Sequence, residues 1–131
     1  MSPRISIVLA TYNGARYLSE QLNSLLQQTV VPHEIIIGDD NSQDGTLEIA
    51  QKYATKLPLK IYKNEVNLGF TKNFESALQK ATGDFILPCD QDDIWESTKL
   101  ETLLAAIGEN SLVYADSLLV DENGNSLEKT L

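Results

Sequence analysis

ISIVLATYNGARYLSEQLNSLL, residues 5–26, changes its periodicity halfway along. Ile5 to Ala10 is a run rich in β-branched residues, suited to a buried strand, and Thr11-Tyr12-Asn13-Gly14 stops it. Leu18, Leu22, Leu25 and Leu26 then recur at helical spacing, which predicts an amphipathic helix over 15–28. A strand feeding a helix through a short polar loop is the opening of a β–α unit. The question is whether the unit repeats.

It does. Pro32 breaks the chain before a second strand, 34–38, and a polar turn, 39–45, leads to Leu47, Ala50, Tyr53 and Ala54 on a second helix. A short third strand, 59–63, and a loop, 64–69, precede Phe74, Ala77, Leu78 and Ala81 on a third helix, with Gly83 as its expected C-cap. The fourth strand is 84–88, Leu100, Leu103, Leu104 and Ile107 line a fourth helix, and 112–115 reads as a fifth strand. Asn123-Gly124, between two short β-like pieces, signals a hairpin. Four alternations with short connections predict an α/β protein: a mainly parallel, Rossmann-like sheet with helices on both faces, followed by a C-terminal hairpin.

In such sheets ligands bind beyond the carboxyl ends of the strands. Three polar clusters fall there: Thr11-Tyr12-Asn13, Asp39-Asp40-Asn41-Ser42 and Asp90-Gln91-Asp92-Asp93. Their convergence on one rim is stronger evidence for a site than any one of them.

Bulk properties narrow the partners. The chain has 131 residues, enough for one domain, and a net charge of −9 from ten basic and nineteen acidic residues. Lys and Arg form no basic stripe, so nucleic acid is not an expected partner. An anionic ligand would need local donors or a metal ion to reverse the field. The apolar runs are far short of a membrane span, and the single cysteine, Cys89, excludes an internal disulfide. These features predict a cytoplasmic location.

Aspartates at i and i+2 just past a strand can direct oxygens at one hard cation such as Mg²⁺ or Mn²⁺. That would relieve their mutual repulsion and neutralise a departing diphosphate. The competing reading is a solvated acidic turn in which Asp92 or Asp93 caps the next helix. Asp40, Ser42, Asp44 and Gly45 imitate the start of a calcium loop, but Gln51 stands where a bidentate Glu belongs. A carboxylate here can instead accept from a ribose or base N–H, and Asp44 can cap the second helix. Tyr12 can cover a nucleobase or pack at the sheet edge. Lys72, near the start of the third helix, can meet a phosphate or stay solvated. Cys89 reads as a small buried side chain and Trp95 as a loop anchor; His33 has no assigned role.

Taken in order, ISIVLATYNGARYLSEQLNSLLQQT, IIIGDDNSQDGT, NLGFTKNFESAL and TGDFILPCDQDDIW resemble family 2 glycosyltransferases of the GT-A fold, over nearly the whole chain. The resemblance implies a sugar donor on a nucleoside diphosphate, UDP- or dTDP-linked, and transfer with inversion to an acceptor, a sugar or a lipid-linked saccharide. It implies that Ala10, Thr11 and Tyr12 line the base pocket, that Asp40 meets the base with Asp39 nearby, and that Lys72 and Gln91 lie along the nucleotide. Asp90-Gln91-Asp92 matches the family's Asp-x-Asp motif, with Asp90 toward the ribose or metal and Asp92 on Mn²⁺ or Mg²⁺. DQDDIW is similar to rhamnosyltransferase-like members that build bacterial surface polysaccharide.

The family continues into an acceptor-binding half that supplies the carboxylate general base. Asp116 and Asp121 come too early in the pattern for that role, so the base is expected beyond Leu131, and the chain reads as a single, incomplete donor-binding domain. Oligomeric state is open, and so is action at the inner face of the membrane. Two rivals remain. A sugar nucleotidyltransferase would carry a Gly-rich basic loop after the first strand, and a receiver-like signalling domain would place its acidic pair there.

Overall fold

The computed structural model describes residues 3–110 and the backbone of two further strands, 118–120 and 126–130. Four strands, β1 (Ile5–Thr11), β2 (Glu34–Asp39), β3 (Leu59–Lys63) and β4 (Phe85–Cys89), form one sheet in the order β3-β2-β1-β4. Every pairing in it is parallel. Helices α1 (Ala15–Leu26), α2 (Thr46–Tyr53), α3 (Phe70–Leu78) and α4 (Lys99–Ile107) alternate with the strands as the sequence predicts. β5 (Leu118–Val120) and β6 (Ser126–Thr130) pair antiparallel, the hairpin expected around Asn123-Gly124. The hairpin's turn, the expected strand at 112–115, Asp116 and Asp121 lie outside the described residues.

The two faces of the sheet are unequal. Successive strand residues point to opposite faces, so β1 sends Ile5, Ile7 and Leu9 one way, with Ile35 and Ile37 of β2. There they bury against Leu18, Leu22 and Leu25 of α1, Ala50 of α2 and Leu100 of α4. Val8 and Ile36 point the other way, into a smaller cluster with Phe74, Ala77 and Leu78 of α3. β1 and β2 are central and buried along their whole length, which explains their unbroken apolar runs.

α3 lies close on the sheet because β2 offers it a glycine. A Cβ on Gly38 would stand 2.9 Å from Asn73 Oδ1 and 3.0 Å from Ala77 Cβ. Gly38→Ala is therefore expected to push α3 outward and cost about 1–3 kcal/mol by overpacking. Gly45→Ala, with nothing within 4 Å, serves as the control; urea denaturation of both variants checks the difference, and equal midpoints would contradict it.

Gly83 differs from its expected role. α3 ends at Leu78 with Gln79 as its C-cap, and Gly83 lies beyond it at the entrance to β4. A Cβ there would meet Ser6 Oγ at 2.7 Å and Arg4 O at 2.8 Å. The glycine serves contact between strands, not helix termination.

Candidate functional site

The sheet reverses its winding between β1 and β4: the chain first builds outward through β2 and β3, then crosses back to the other side of β1. Such a switch point opens a crevice at the carboxyl ends of the strands. A cavity of about 300 Å³ lies there, on the α3 side of the sheet. Five of the residues singled out in the sequence line it: Ala10, Thr11, Tyr12, Asp40 and Gln91. Asn67, Gly69, Phe70 and Asn73 complete the wall, and the sequence reading did not single them out. Tyr12 is half-exposed at the cavity rather than packed at the sheet edge.

The paired aspartates do different things. Asp39 is fully buried and accepts hydrogen bonds from Thr11 Oγ1 at 2.7 Å, Ser42 Oγ at 2.7 Å and Ser42 N at 2.9 Å. It ties the end of β1 to the turn after β2 and is not part of the cavity wall. Asp40 faces the cavity and holds its far wall. It accepts from Leu68 N at 2.7 Å, Gly69 N at 2.9 Å and Asn64 Nδ2 at 3.0 Å. Asn64 Nδ2 also donates to Asn73 Oδ1 at 2.9 Å, and Asn73 Nδ2 donates to Gly38 O at 2.8 Å. The space left by the missing side chain of Gly38 thus admits the amide that completes this network.

The loops after β1 and β2 are laced together. Asn13 N donates to Ser42 Oγ at 2.9 Å, Gly14 N to Thr46 Oγ1 at 2.9 Å and Gln43 N to Asn13 Oδ1 at 2.8 Å. Asp44 accepts from Ala15 N at 3.1 Å and from Thr46 N at 3.0 Å, so it serves the starts of α1 and α2 together. Burial alone would raise its carboxyl, but these bonds and that from the Thr46 hydroxyl hold it below the usual carboxylate range. With Asp40 and Asp44 committed to different backbone donors, the calcium-loop reading fails.

The acidic stretch after β4 is not a helix cap. α4 begins at Lys99 with Thr98 as its N-cap, well past Asp92 and Asp93. Asp90, Asp92 and Asp93 are exposed beyond the end of β4. Desolvation raises the carboxyls of Asp92 and Asp93, and at Asp93 the charges of Asp90 and Asp92 add to it. Asp92 has a φ of 78°, a left-handed conformation unusual for a residue other than glycine. Beneath the loop, Cys89 and Trp95 are buried, as expected. Burial pushes the Cys89 thiol up to about 12, and Trp95 N donates to Ser24 Oγ at 3.1 Å.

Asp90 and Asp92 are not part of the cavity wall but flank Gln91, which is; hard carboxylate oxygens at i and i+2 suit Mg²⁺ or Mn²⁺. No group of three His, Cys, Asp or Glu side chains is placed to hold a metal among the described residues. A cation at Asp90 and Asp92 would therefore take its remaining oxygens from ligand and water, as Mg²⁺ commonly does. Lys72 is exposed on the first turn of α3 and outside the cavity wall. Among the described residues no helix is long and apolar enough to cross a membrane.

This arrangement recurs in known proteins. The Glycosyl transferase family 2 profile matches residues 6–131. Poly(ribitol-phosphate) beta-N-acetylglucosaminyltransferase TarS of Staphylococcus aureus is 37% identical over 124 residues, 92% of this chain and 21% of TarS. The crystal structure of S. aureus TarS 1–349 in complex with UDP-GlcNAc superposes with a TM-score of 0.76 at 39% identity, covering 81% of this chain and 31% of that one. The mannosyltransferase PcManGT of Pyrobaculum calidifontis, in complex with GDP-Man and Mn²⁺, gives a TM-score of 0.75 at 25% identity over 82% of this chain and 33% of its own. The chain spans between 21% and 52% of the length of the curated relatives it matches. With the parallel sheet, the switch-point cavity and the ordered motifs, these likenesses establish that the chain belongs to glycosyltransferase family 2 and has the GT-A fold.

Proposed function

We propose that the chain binds a nucleoside-diphosphate sugar in the cavity between β1, α3 and the loop after β4. In the complete protein the sugar passes with inversion to an acceptor hydroxyl, on a sugar or a lipid-linked saccharide, in bacterial cell-surface polysaccharide synthesis. The observation that carries this reading is the cavity itself. It gathers Tyr12 after β1, Asp40 after β2 and Gln91 after β4 on one wall, with Asp90 and Asp92 flanking Gln91. The base lies against Tyr12 and Asp40, and the diphosphate runs toward Asp90 and Asp92. A divalent cation, Mn²⁺ or Mg²⁺, held by those two carboxylates would offset the charge that develops on the diphosphate as it leaves. The UDP-GlcNAc and GDP-Man complexes of the similar structures support a nucleotide-sugar ligand, and UDP is the first to test.

The acceptor oxygen attacks the anomeric carbon while the bond from that carbon to the diphosphate oxygen breaks, its electron pair leaving with the diphosphate. The acceptor proton goes to a carboxylate base, for which the described residues offer no assignment. Family membership removes the nucleotidyltransferase and receiver readings. The loop after β1 is also Tyr12-Asn13-Gly14, with neither the basic glycine-rich loop of the first nor the acidic pair of the second.

The test is calorimetric titration of UDP and dTDP into the chain, with Mn²⁺ and then with chelator. Asp92→Ala is expected to abolish the metal-dependent part of binding, a loss of about tenfold or more, the worth of one charge-assisted contact. Binding that is equally tight in chelator and in the variant would remove the metal role.

A further inference from the structure

Between the two proposed halves of the site, base and metal, lies one residue joined to both, to Tyr12 through its side chain and to Asp90 and Asp92 through its backbone. Gln91 sits between Asp90 and Asp92, and its amide faces the peptide of Tyr12. Tyr12 N donates to Gln91 Oε1 at 2.8 Å, and Gln91 Nε2 donates to Tyr12 O at 3.4 Å. The side chain thus imitates a neighbouring strand, pairing with both backbone groups of one residue. Space for it exists because residue 14 is glycine. A Cβ on Gly14 would stand 2.7 Å from Gln91 Oε1 and 2.8 Å from Gln91 Cδ. The start of the loop after β4 is also tied to α1, where Gln21 Nε2 donates to Asp90 O and Cys89 Sγ.

We infer that Gln91 is a positioning residue that couples the Asp90/Asp92 carboxylates to the nucleobase side of the cavity through the backbone of Tyr12. The inference rests on the proposed nucleotide and metal assignment. When the 90–92 loop settles around a cation, the amide holds Tyr12 in the place from which its ring meets the base. Metal and base then reinforce each other beyond the direct bridge through the diphosphate. Because coupling between two ligands is reciprocal, UDP raises Mn²⁺ affinity by the same factor as Mn²⁺ raises UDP affinity.

The quantity to measure is the ratio of UDP affinities with Mn²⁺ and with chelator. It is compared in the unaltered chain, Gln91→Ala and Gly14→Ala. Gly14→Ala leaves Gln91, Asp90 and Asp92 in the sequence and displaces only the far end of a flexible side chain, so the fold is kept. Both variants are expected to lower the ratio by about fivefold, the worth of one hydrogen bond. Mn²⁺ titration with and without UDP, read by electron paramagnetic resonance, is expected to give the same factor. A purely structural loosening would weaken binding equally with and without metal and leave the ratio unchanged. An unchanged ratio in either variant overturns the inference while the nucleotide reading stands. An unaltered chain that is folded but binds no UDP in either condition overturns the nucleotide reading instead, and the inference with it.

Discussion

Replacing Asp40 by alanine is expected to lower the affinity for UDP by about a hundredfold and to cost about 2–4 kcal/mol of stability, since it leaves buried donors unpaired. Asp40 is almost fully buried, yet it lines the cavity. Its carboxylate collects Leu68 N, Gly69 N and Asn64 Nδ2, so removing it orphans Leu68 N and half of an asparagine amide and leaves Gly69 N only its longer bond to Asn67 Oδ1 at 3.2 Å. The wall that carries Asn67, Gly69 and Phe70 then loses its anchor, and the ligand loses its acceptor. Asp40→Asn separates the two effects, because an amide offers one accepting oxygen to two backbone N–H groups. It should fall between alanine and the native residue in both measurements. Calorimetry with UDP and Mn²⁺, beside urea denaturation, reads them together; an alanine variant that matched the unaltered chain in either would remove Asp40 from this role.

Glu34 should matter as much to stability and not at all to the ligand directly. It opens β2 with a side chain only 1% exposed, at the end of the sheet away from the cavity. It accepts from Ser6 Oγ at 2.5 Å, Thr82 N at 2.6 Å, Thr82 Oγ1 at 2.9 Å and Lys60 Nζ at 2.7 Å. Burial alone would raise its carboxyl, but the Lys60, Ser6 and Thr82 bonds outweigh it and lower it from the usual 4.5 to about 2. Glu34→Ala is expected to cost about 2–4 kcal/mol, since it leaves the Ser6 hydroxyl and Thr82 N without their acceptor. Lys60→Ala, whose side chain is half-exposed, removes one of the carboxylate's four donors and is expected to cost less than Glu34→Ala.

The sign of the pH dependence follows from the lowered carboxyl. Between pH 4.5 and about 2 the unfolded chain holds a proton on Glu34 that the folded chain does not. Stability is therefore fully present above pH 4.5 and falls as the pH drops toward 2, by about 1.4 kcal/mol for each pH unit. Urea denaturation at pH 7 and pH 3 should show a smaller acid loss in Glu34→Gln than in the unaltered chain. Equal losses would mean that another group carries the acid sensitivity.

Periodicity made the alternation of strands and helices legible, along with the carboxyl-end rim where the polar clusters meet. It could not separate Asp39 from Asp40. They are neighbours on a strand end, and pleating alone sends one carboxylate under the sheet rim and the other into the cavity. Asn64 and Asn67 were invisible as single polar residues in a loop, because their partners lie far away in sequence at Asp40. Asn73 did leave a trace: it is a polar residue on the buried side of α3, four positions before Ala77. Glu34 left less, since a glutamate at a strand start usually faces water, and its burial depends on Ser6, Lys60 and Thr82 arriving from three other segments.

The unequal faces of the sheet bear on how such a domain can change over evolutionary time. Most of its apolar mass is sealed on the side of α1, α2 and α4. The cavity wall of Asp40, Asn67, Phe70 and Asn73 belongs to the thinly packed side. Substitutions at its exposed positions, Asn67 and Phe70, therefore put little of the chain's foldedness at stake, whereas Asp40 and Asn73 are held in the buried network, and distant sites act nearly independently. A lineage can redraw those two wall positions while inheriting the opposite face and the Asp40–Asn64–Asn73 network unaltered.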